Sequence, residues 1–216
     1  MKIWIISLLV ALTAQAQDFP SDWWRVVPRE DASSWEILPQ DARPGEVILS
    51  KRTELGIFSN FGATPFVLDG LEYASVEGLW QAMKYPDPTN PNDPRLQVTE
   101  WPHTRAEVMA MSGFAAKDAG TAAGEIYKKY KFKNISYGED FFDYKDFAAG
   151  SRLHLEIVSR ALRAKLDQNP ELWELLLKTK CLKLLPDHKP GANDPPAYKY
   201  FDLFMHLRAE RAPCSF

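Results

Sequence analysis

The chain has 216 residues, of which 45% are hydrophobic and 25% charged, and its formal net charge is −3. This composition is typical of a globular protein long enough for one well-buried domain, and its mild acidity excludes a bulk electrostatic reason to bind nucleic acid. The two cysteines and four dispersed histidines show no CxxC or HxxxH spacing. No metal site is therefore expected, while one disulfide and two separate thiols are equally compatible with the cysteine pattern.

Residues 1–16 have the pattern of a signal peptide. A single positive charge precedes an apolar run, and Ala14 and Ala16 stand where a cleavage site needs small residues. The run is shorter than the roughly 20 residues that span a bilayer, and the cleavage site disfavours the alternative of an uncleaved anchor. We therefore expect a mature chain that begins at Gln17, is exported to a periplasm or the extracellular space, and has no membrane attachment after cleavage.

Residues 17–45 are rich in Trp and Pro and show neither helical nor strand periodicity. This pattern predicts an irregular extension ahead of a domain that spans residues 46–211. The tryptophans of the extension are expected to pin it onto the domain surface, and lining a ligand site is the alternative role.

The first elements of the domain are predicted to be strands. A short apolar run predicts a strand at Glu46–Leu49. Asp69-Gly70 separates two further runs, so Phe66–Leu68 and Leu71–Tyr73 are predicted to form a tight hairpin. Ser75, a favourable N-cap, then predicts the start of a helix of about ten residues that Pro86 ends.

The remainder of the domain is predicted to be mostly helical. Residues 87–102 form a proline-rich loop, interpreted as a lid or an insertion. Apolar periodicity and capping residues predict helices at about Arg105–Ala115, Ala122–Tyr130, Ser151–Asp167, from Asn169-Pro170 onward, and Tyr198–Glu210.

The helix after Ser75 carries a polar stripe. Glu77, Gln81 and Lys84 follow an i, i+4, i+7 spacing, which places a carboxylate, an amide and an amine on one face, with Trp80 and Tyr85 on either side. The amphipathic pattern alone favours exposure of this stripe to solvent. The alternative is that the stripe forms one wall of a small-molecule pocket. The helix dipole favours an anionic Glu77, whereas Lys84 could act as a nucleophile only if desolvation or a nearby cation lowered its pKa.

Two other segments carry reactive side chains. The YKKYKFK segment at Tyr127–Lys133 mixes basic and aromatic residues, and a solvated helix end is favoured there over a nucleic-acid contact. Asp187-His188 and Asn193-Asp194 are interpreted as turns first and as acid–base groups second.

Three ordered motifs and one longer stretch resemble a known family. SNF at Ser59–Phe61, PFVLDG at Pro65–Gly70 and EGLWQAMKY at Glu77–Tyr85 resemble the signature of the NADAR family, named for its association with NAD and ADP-ribose. The stretch Ala161–Thr179 resembles the second half of that family, so the likeness covers about residues 46–208.

The resemblance implies a fold and an activity. The family has an α+β fold, a mostly helical single domain with a small β-sheet or hairpin. Its YbiA-like branch consists of N-glycosidases that act on ribosyl-amine intermediates of riboflavin metabolism, and other members are similar to hydrolases that remove ADP-ribose from guanine bases. The implied partner is therefore a small nucleotide or ribosyl-amine substrate, or ADP-ribosylated nucleic acid. No metal or redox cofactor is implied.

The resemblance also implies roles for individual residues. Glu77 matches the catalytic glutamate of the family and Lys84 matches its lysine. Lys84 would attack the anomeric carbon of the ring-opened sugar as a Schiff base while Glu77 shuttles protons. The residues expected at the substrate, from the motifs or from their position, are Ser59, Asn60, Phe61, Trp80, Gln81, Tyr85, Asp187 and Asp194.

The chain departs from the family pattern at several positions. Gly78 stands where a histidine is usual, and Ser112-Gly113-Phe114 replaces a common Met-Gly-Arg. A family tryptophan ahead of Ser151 and a late W-G-x-G loop are missing, which leaves Asp187 or Asp194 as substitutes for the acidic residue of that loop. These departures favour a second hypothesis, a non-catalytic exported module that binds NAD or ADP-ribose. The signal peptide alone supports a third, an exported effector that acts on the nucleotides or nucleic acid of another cell.

Overall fold

The computed structural model describes residues 19–146, 150–191 and 193–214. The predicted signal peptide and the predicted mature N-terminus at Gln17 lie outside these residues. Across the described ranges, no helix combines the length and the apolar character that crossing a membrane requires.

The described part of the chain contains six α-helices and six short strands. The helices are α1 (Val76–Ala82), α2 (Arg105–Met109), α3 (Gly113–Tyr130), α4 (Gly150–Asp167), α5 (Pro170–Lys178) and α6 (Tyr200–Arg211). The strands are β1 (Glu46–Leu49), β2 (Phe66–Leu68), β3 (Leu71–Tyr73), β4 (Ile135–Tyr137), β5 (Asp140–Phe142) and β6 (Lys183–Pro186). The predicted fold class, a mostly helical single α+β domain, is confirmed.

The strands form three separate two-stranded ladders. β2 and β3 make the predicted hairpin, and Asp69 and Gly70 at its turn have φ values of 51° and 78°. Positive φ at both central residues is what a tight hairpin turn requires. β1 pairs in parallel with β6, so that strands near opposite ends of the domain lie side by side.

The main core surrounds α4. Its buried stripe includes Ile157, Val158, Ala161 and Leu162, each at most 3% exposed, and it packs against β2, α1, α5 and α6. Burying an aliphatic side chain of this size stabilises a fold by roughly 1.5–3 kcal/mol. α4 therefore supplies the rigid support on which the other elements are placed.

α3 begins well before the predicted Ala122. The predicted helix from Arg105 is also too long, because α2 ends at Met109 and the chain reverses at Gly113, whose φ is 57°. Glycine adopts such a φ at no steric cost, because it has no Cβ. The buried face of α3 consists of small residues, Ala116, Ala119, Gly120 and Ala123, which give little contrast to a periodicity analysis.

The N-terminal extension consists of short 3₁₀ turns that pack onto the domain. Trp23 is fully buried in the main core and its indole N–H donates to Glu54 at 2.8 Å. Trp24 donates in the same way to the carbonyl of Glu46 at 3.0 Å. These two tryptophans pin the extension to the domain, whereas Trp35 is half exposed.

The two cysteines are joined in a disulfide. Cys181, between α5 and β6, is bonded to Cys214, with a Cα–Cα distance of 5.6 Å. The bond ties the segment after α6 to the strand pair of β1 and β6. Of the two alternatives that the sequence left open, the single bridge is the one present.

The proline-rich loop 87–102 is built around a buried ion pair. Arg95 pairs with Asp93 at 2.6 Å and also donates to the carbonyl of Met83 and to the hydroxyl of Tyr127, at 2.8 and 2.9 Å. No residue of the loop lines the cavity described below. The loop braces α1 and α3 from behind, and of the two interpretations it fits an insertion better than a lid.

Candidate active site

A cavity of about 1510 Å³ lies beside α1. α1, α3 and α4 line it, together with the loop that carries the SNF motif, the segment that follows β6 and the part of the extension around Trp35. A cavity of this size exceeds the roughly 300–1000 Å³ of common small-molecule sites.

The position of α1 depends on close packing at its first turn. The Ser75 hydroxyl caps the helix by accepting from the amide of Gly78 at 2.8 Å, and it donates to the carbonyl of Met111 at 3.0 Å. A Cβ at Gly78 would lie 2.5 Å from the Met111 carbonyl oxygen. A side chain has no room there, which accounts for glycine at this position.

The polar stripe of α1 does not face solvent. Every residue of the helix is buried, and Glu77 and Gln81 are only 7% and 5% exposed, because α3 and α4 pack on either side. The helix also ends earlier than predicted, at Ala82, and Lys84 follows in a turn whose amide donates to the carbonyl of Gln81 at 3.1 Å. Glu77, Gln81 and Lys84 all line the cavity, so the prediction of a solvated face is wrong.

Glu77 is held by its neighbour on the helix. The side-chain amide of Gln81 donates to its carboxyl oxygen Oε1 at 2.6 Å. Burial raises the pKa of Glu77 above its ordinary value, while the Gln81 hydrogen bond and the positive charges of Lys84 and Lys117 act in the opposite direction. The carboxyl group therefore retains its proton to a higher pH than a solvated glutamate.

Burial also shifts the pKa of Lys84, and it lowers this pKa because the charged form is a cation. Burial lowers its pKa to about 8, opposed by the Glu77 charge and assisted by that of Lys145. Its ammonium nitrogen lies 5.1 Å from the centroid of the Trp80 ring. A lysine with this pKa is a neutral amine for an appreciable fraction of the time near neutral pH.

Aromatic rings surround Trp80. Its ring stacks on His154 with centroids 4.3 Å apart and meets Tyr144 and Tyr198 edge to face. Burial, with a further contribution from the charge of Lys84, lowers the pKa of His154 to about 4, so the imidazole is neutral. These rings form an aromatic cluster around Trp80, whose ring faces Lys84.

Sequence reasoning missed His154 and Tyr198 as cavity residues. The sequence does indicate the position of His154: it precedes Val158 by four residues on α4 and so lies on the predicted apolar stripe. Tyr198 lies in a 3₁₀ turn just before α6, where the predicted helix already began, and no local pattern marks it.

The SNF motif is fixed between two helix starts. The carbonyl of Asn60 accepts from the amide of Glu77 at 2.9 Å, and the carbonyl of Phe61 accepts from the amide of Gly113 at 3.1 Å. Because the main chain is tied to α1 and α3, the side chains of Ser59, Asn60 and Phe61 all reach the cavity.

A buried lysine holds the other side of this loop. The ammonium group of Lys165 donates to the carbonyls of Ile57 and Ser59 at 2.7 and 3.2 Å. Lys165 lies on the buried stripe of α4, and burial lowers its pKa to about 7. Lys165 follows Ala161 by four residues, so helical periodicity alone places it on this buried stripe.

Several cavity residues have unused hydrogen-bonding capacity. Four of them carry a buried polar atom without a hydrogen-bond partner among the described residues: Asn60 Oδ1, Gln81 Oε1, His154 Nδ1 and the Tyr200 hydroxyl. Most buried polar groups in proteins are paired, so a cluster of exceptions requires an explanation. All four atoms are inaccessible to solvent, so they lie within the cavity walls and not on the cavity surface.

The entrance formed by α3 combines aromatic and basic groups. Phe114 is 60% exposed, and its ring lies 5.5 Å from that of Phe61 in an edge-to-face contact. The ammonium of Lys117 lies 5.8 Å from the Phe114 ring centroid and 6.0 Å from that of Phe61. Lys117 thus places a cation in the cavity, one turn beyond the position where the family pattern has arginine. Lys117 was not predicted as a site residue, because α3 was expected to start later.

The remaining predicted site residues divide into two groups. Asp187 and Asp194 line the cavity, and each already has a local contact, with the ring of His188 at 3.1 Å and with the amide of Gly191 at 2.7 Å. Tyr85 does not line it. Its hydroxyl donates to the carbonyl of Ala119 at 2.8 Å and its ring packs in the smaller core cluster, so the structure does not bring it to the other candidates.

The YKKYKFK segment lies away from the cavity. Lys128 and Lys129 form exposed ion pairs with Glu125 and Glu100, both at 2.6 Å. The described ranges contain no group of three or more His, Cys, Asp or Glu side chains placed to hold a metal ion.

Fold and site together define an α+β domain with a deep cavity in which a carboxyl, an amide and an amine converge. No protein-family model matches the chain, and no curated protein matches it. Among solved structures, the chain is similar to the NMR structure of the E. coli protein YbiA, with a TM-score of 0.46 and 23% sequence identity over 75% of this chain and 81% of that chain. The chemistry of the cavity is therefore inferred from its own residues.

Proposed function

We propose that the protein is a hydrolase that cleaves an N-glycosidic bond between a ribosyl or ADP-ribosyl group and an amine or base. The observation that carries this proposal is the burial of Glu77 and Lys84 on one wall of the cavity. Burial raises the pKa of the carboxyl and lowers that of the amine to about 8. Burial therefore shifts the balance away from a carboxylate with an ammonium and toward a carboxylic acid with a free amine.

The proposed reaction begins with opening of the sugar ring. Glu77 gives its proton to the ring oxygen while the bond from that oxygen to the anomeric carbon breaks and the substrate nitrogen forms a double bond to the same carbon. The neutral amine of Lys84 then adds to this carbon. The substrate nitrogen must therefore have a free electron pair, which favours ribosyl amines and exocyclic amino groups of bases.

The second half of the reaction releases the products. The Glu77 carboxylate takes a proton from the Lys84 nitrogen and passes it to the substrate nitrogen, which leaves as an amine. The lysine is now joined to the sugar as an imine. Water adds to the carbon of the protonated imine, the carbon–nitrogen bond breaks, and the open-chain sugar aldehyde departs. This step regenerates the neutral amine of Lys84 and returns the released proton to Glu77.

Other cavity groups support this assignment. Gln81 orients the carboxyl through its 2.6 Å hydrogen bond, and its Oε1 remains without a partner among the described residues. The ammonium of Lys84 lies 5.1 Å from the centroid of the Trp80 ring, which stacks on His154, and burial disfavours the charged form of the lysine. Exclusion of water strengthens the electrostatic interactions inside such a site.

Reductive trapping tests the proposal. A ribosyl-amine substrate is incubated with the protein and sodium cyanoborohydride, and peptide mass spectrometry locates any sugar adduct. The adduct is expected on Lys84 and should persist in Lys117→Ala, which removes a different cavity lysine. Full turnover by Lys84→Met, or trapping only at another residue, would contradict the Schiff-base role.

A binding module without catalysis is the second candidate function. The exposed Phe114, its contact with Phe61 and the nearby Lys117 favour it, because they can hold a nucleotide with no contribution from Glu77 or Lys84. Calorimetry with ADP-ribose and a glycosidase assay on the same sample distinguish the two functions. Binding without release of an amine would select the module.

Export is part of the proposal. The pattern of residues 1–16 supports it, and so does the Cys181–Cys214 disulfide, since disulfides persist chiefly in oxidising compartments. Amino-terminal sequencing of the protein recovered outside the cytoplasm should begin at Gln17.

A further inference from the structure

The N-terminal extension contributes an aromatic side chain to the cavity. Trp35 lines it along with Glu77 and Lys84, and the residue is 52% exposed. Large aromatic side chains are normally buried, as Trp23 is in the same extension, so a half-exposed indole in a cavity is available to a ligand.

The main chain around Trp35 is held in place. The amide of Ile37 donates to the carbonyl of Asp187 at 2.8 Å. The carboxylate of Glu36, which is 3% exposed, accepts two hydrogen bonds from Arg52, at 2.8 and 2.9 Å. A bidentate pair of this kind fixes orientation as well as position, so the indole is presented from a rigid support.

Positive charge accompanies the ring. The ammonium of Lys51 lies 4.4 Å from the centroid of the Trp35 ring and 3.7 Å from the Glu36 carboxylate, which it shares with Arg52, and Lys189 also lines the cavity. The carboxylates of Glu36 and Asp41, which line the same cavity, are each paired with an arginine. An aromatic ring with a lysine against it suits a ligand that carries both a planar ring and an anionic group.

We propose that Trp35 forms a stacking subsite for a planar heteroaromatic ring, with Lys51 meeting an anionic group attached to that ring. The inference rests on the proposed function in one respect, since the reacting sugar is placed at Glu77 and Lys84. The cavity volume of about 1510 Å³ leaves room for more than a sugar. The ligand class is a ribose joined through an anionic linker to a base-like ring, and Trp35 selects for the ring.

Two probes separate the subsite from the reacting centre. AMP carries a planar ring and a phosphate, whereas ribose 5-phosphate carries the sugar and phosphate without the ring. Calorimetry should show AMP binding about 5- to 150-fold more weakly in Trp35→Ala than in wild type, the range expected for loss of one stacked base. Trp35→Phe should retain most of the affinity, and ribose 5-phosphate should bind both variants as it binds wild type.

The control variant changes another exposed residue of the N-terminal extension. Val26, 81% exposed in the same extension and not a cavity residue, is the matched site, and Val26→Ala should bind AMP as wild type does. Unchanged AMP affinity in Trp35→Ala, equal loss for both probes, or no AMP binding to wild type would each overturn the subsite. Failure of the proposed hydrolysis gives a different result, AMP binding that depends on Trp35 with no turnover of ribosyl amines.

Discussion

In the proposed reaction Glu77 and Lys84 act as a pair, because burial opposes the charge on each. The reactive state has one proton between them, on the carboxyl, while the amine is free. A carboxylate with an ammonium carries the same number of protons as a carboxylic acid with a free amine. The two groups therefore titrate together, and the apparent pKa values of the pH dependence belong to the pair.

The pH–rate profile of the wild type is expected to be bell-shaped. Activity should fall above about pH 8, where the shared proton is lost, and again below the raised pKa of Glu77, where both groups are protonated. Measurement of kcat/KM against pH checks this. In Glu77→Gln the residual activity should instead rise along a single limb, since only Lys84 then titrates; an unchanged bell would contradict the pairing.

Lys165 gives a prediction about stability. Its pKa is about 7 in the fold and 10.5 as the ordinary value, so between these pH values the unfolded chain binds a proton that the folded chain does not. Stability therefore rises with pH across that window, by at most about 1.4 kcal/mol per pH unit for one group.

Urea unfolding at several pH values from 7 to 10 measures this slope. Lys165→Met should flatten it and leave the smaller rise above about pH 8 that Lys84 contributes. Because the carbonyls of Ile57 and Ser59 lose their donor, the variant should also lower kcat/KM through the displaced SNF loop. Equal slopes in wild type and variant would contradict a buried, titrating Lys165.

At the scale of elements, α1 and α3 are in contact through small residues. A Cβ on Gly120 would lie 1.7 Å from Gln81 Oε1, so Gly120→Ala must displace the Gln81 side chain and break its hydrogen bond to Glu77. We expect kcat/KM to fall roughly 10-fold, in line with a hydrogen bond to a carboxylate.

Gly124→Ala is the matched control for this prediction. It lies on the same helix, and no atom comes within 4 Å of its added Cβ. The control should keep full activity and gain up to about 1 kcal/mol in stability from helix propensity. If both variants had equal activity, Gln81 would have no positioning role.

Elements with local signals were predicted well from the sequence. Asp69-Gly70 defines a hairpin turn and Asn169-Pro170 a helix start, and both elements have the predicted positions. β6 was missed because, among the described residues, its strand partner is β1, far away in the sequence, and short apolar runs do not reveal distant partners. For the site, spacing placed Glu77 and Lys84 on one face, but amphipathicity cannot distinguish a cavity wall from a solvated surface.

At the scale of the whole molecule, the disulfide closes a loop between residues 33 positions apart. Replacing both cysteines with serine should lower the free energy of unfolding by about 4 kcal/mol, because the unfolded chain regains the entropy of the open loop. Neither cysteine lines the cavity, so activity at low temperature should persist. Thermal unfolding of the double variant, with an assay below its Tm, tests both statements.

The parallel pairing of β1 with β6 also determines when the cavity can close during synthesis. The wall near Trp35 is joined to the chain around Asp187 and His188, and β1 has no strand partner until Lys183–Pro186 is available. A growing chain that ends before these residues has its acid and amine but no enclosed cavity. The cavity is consequently completed only with about the last sixth of the chain, which begins at Lys183, so under the proposed export a chain translocated during synthesis would leave the cytoplasm before its cavity is complete.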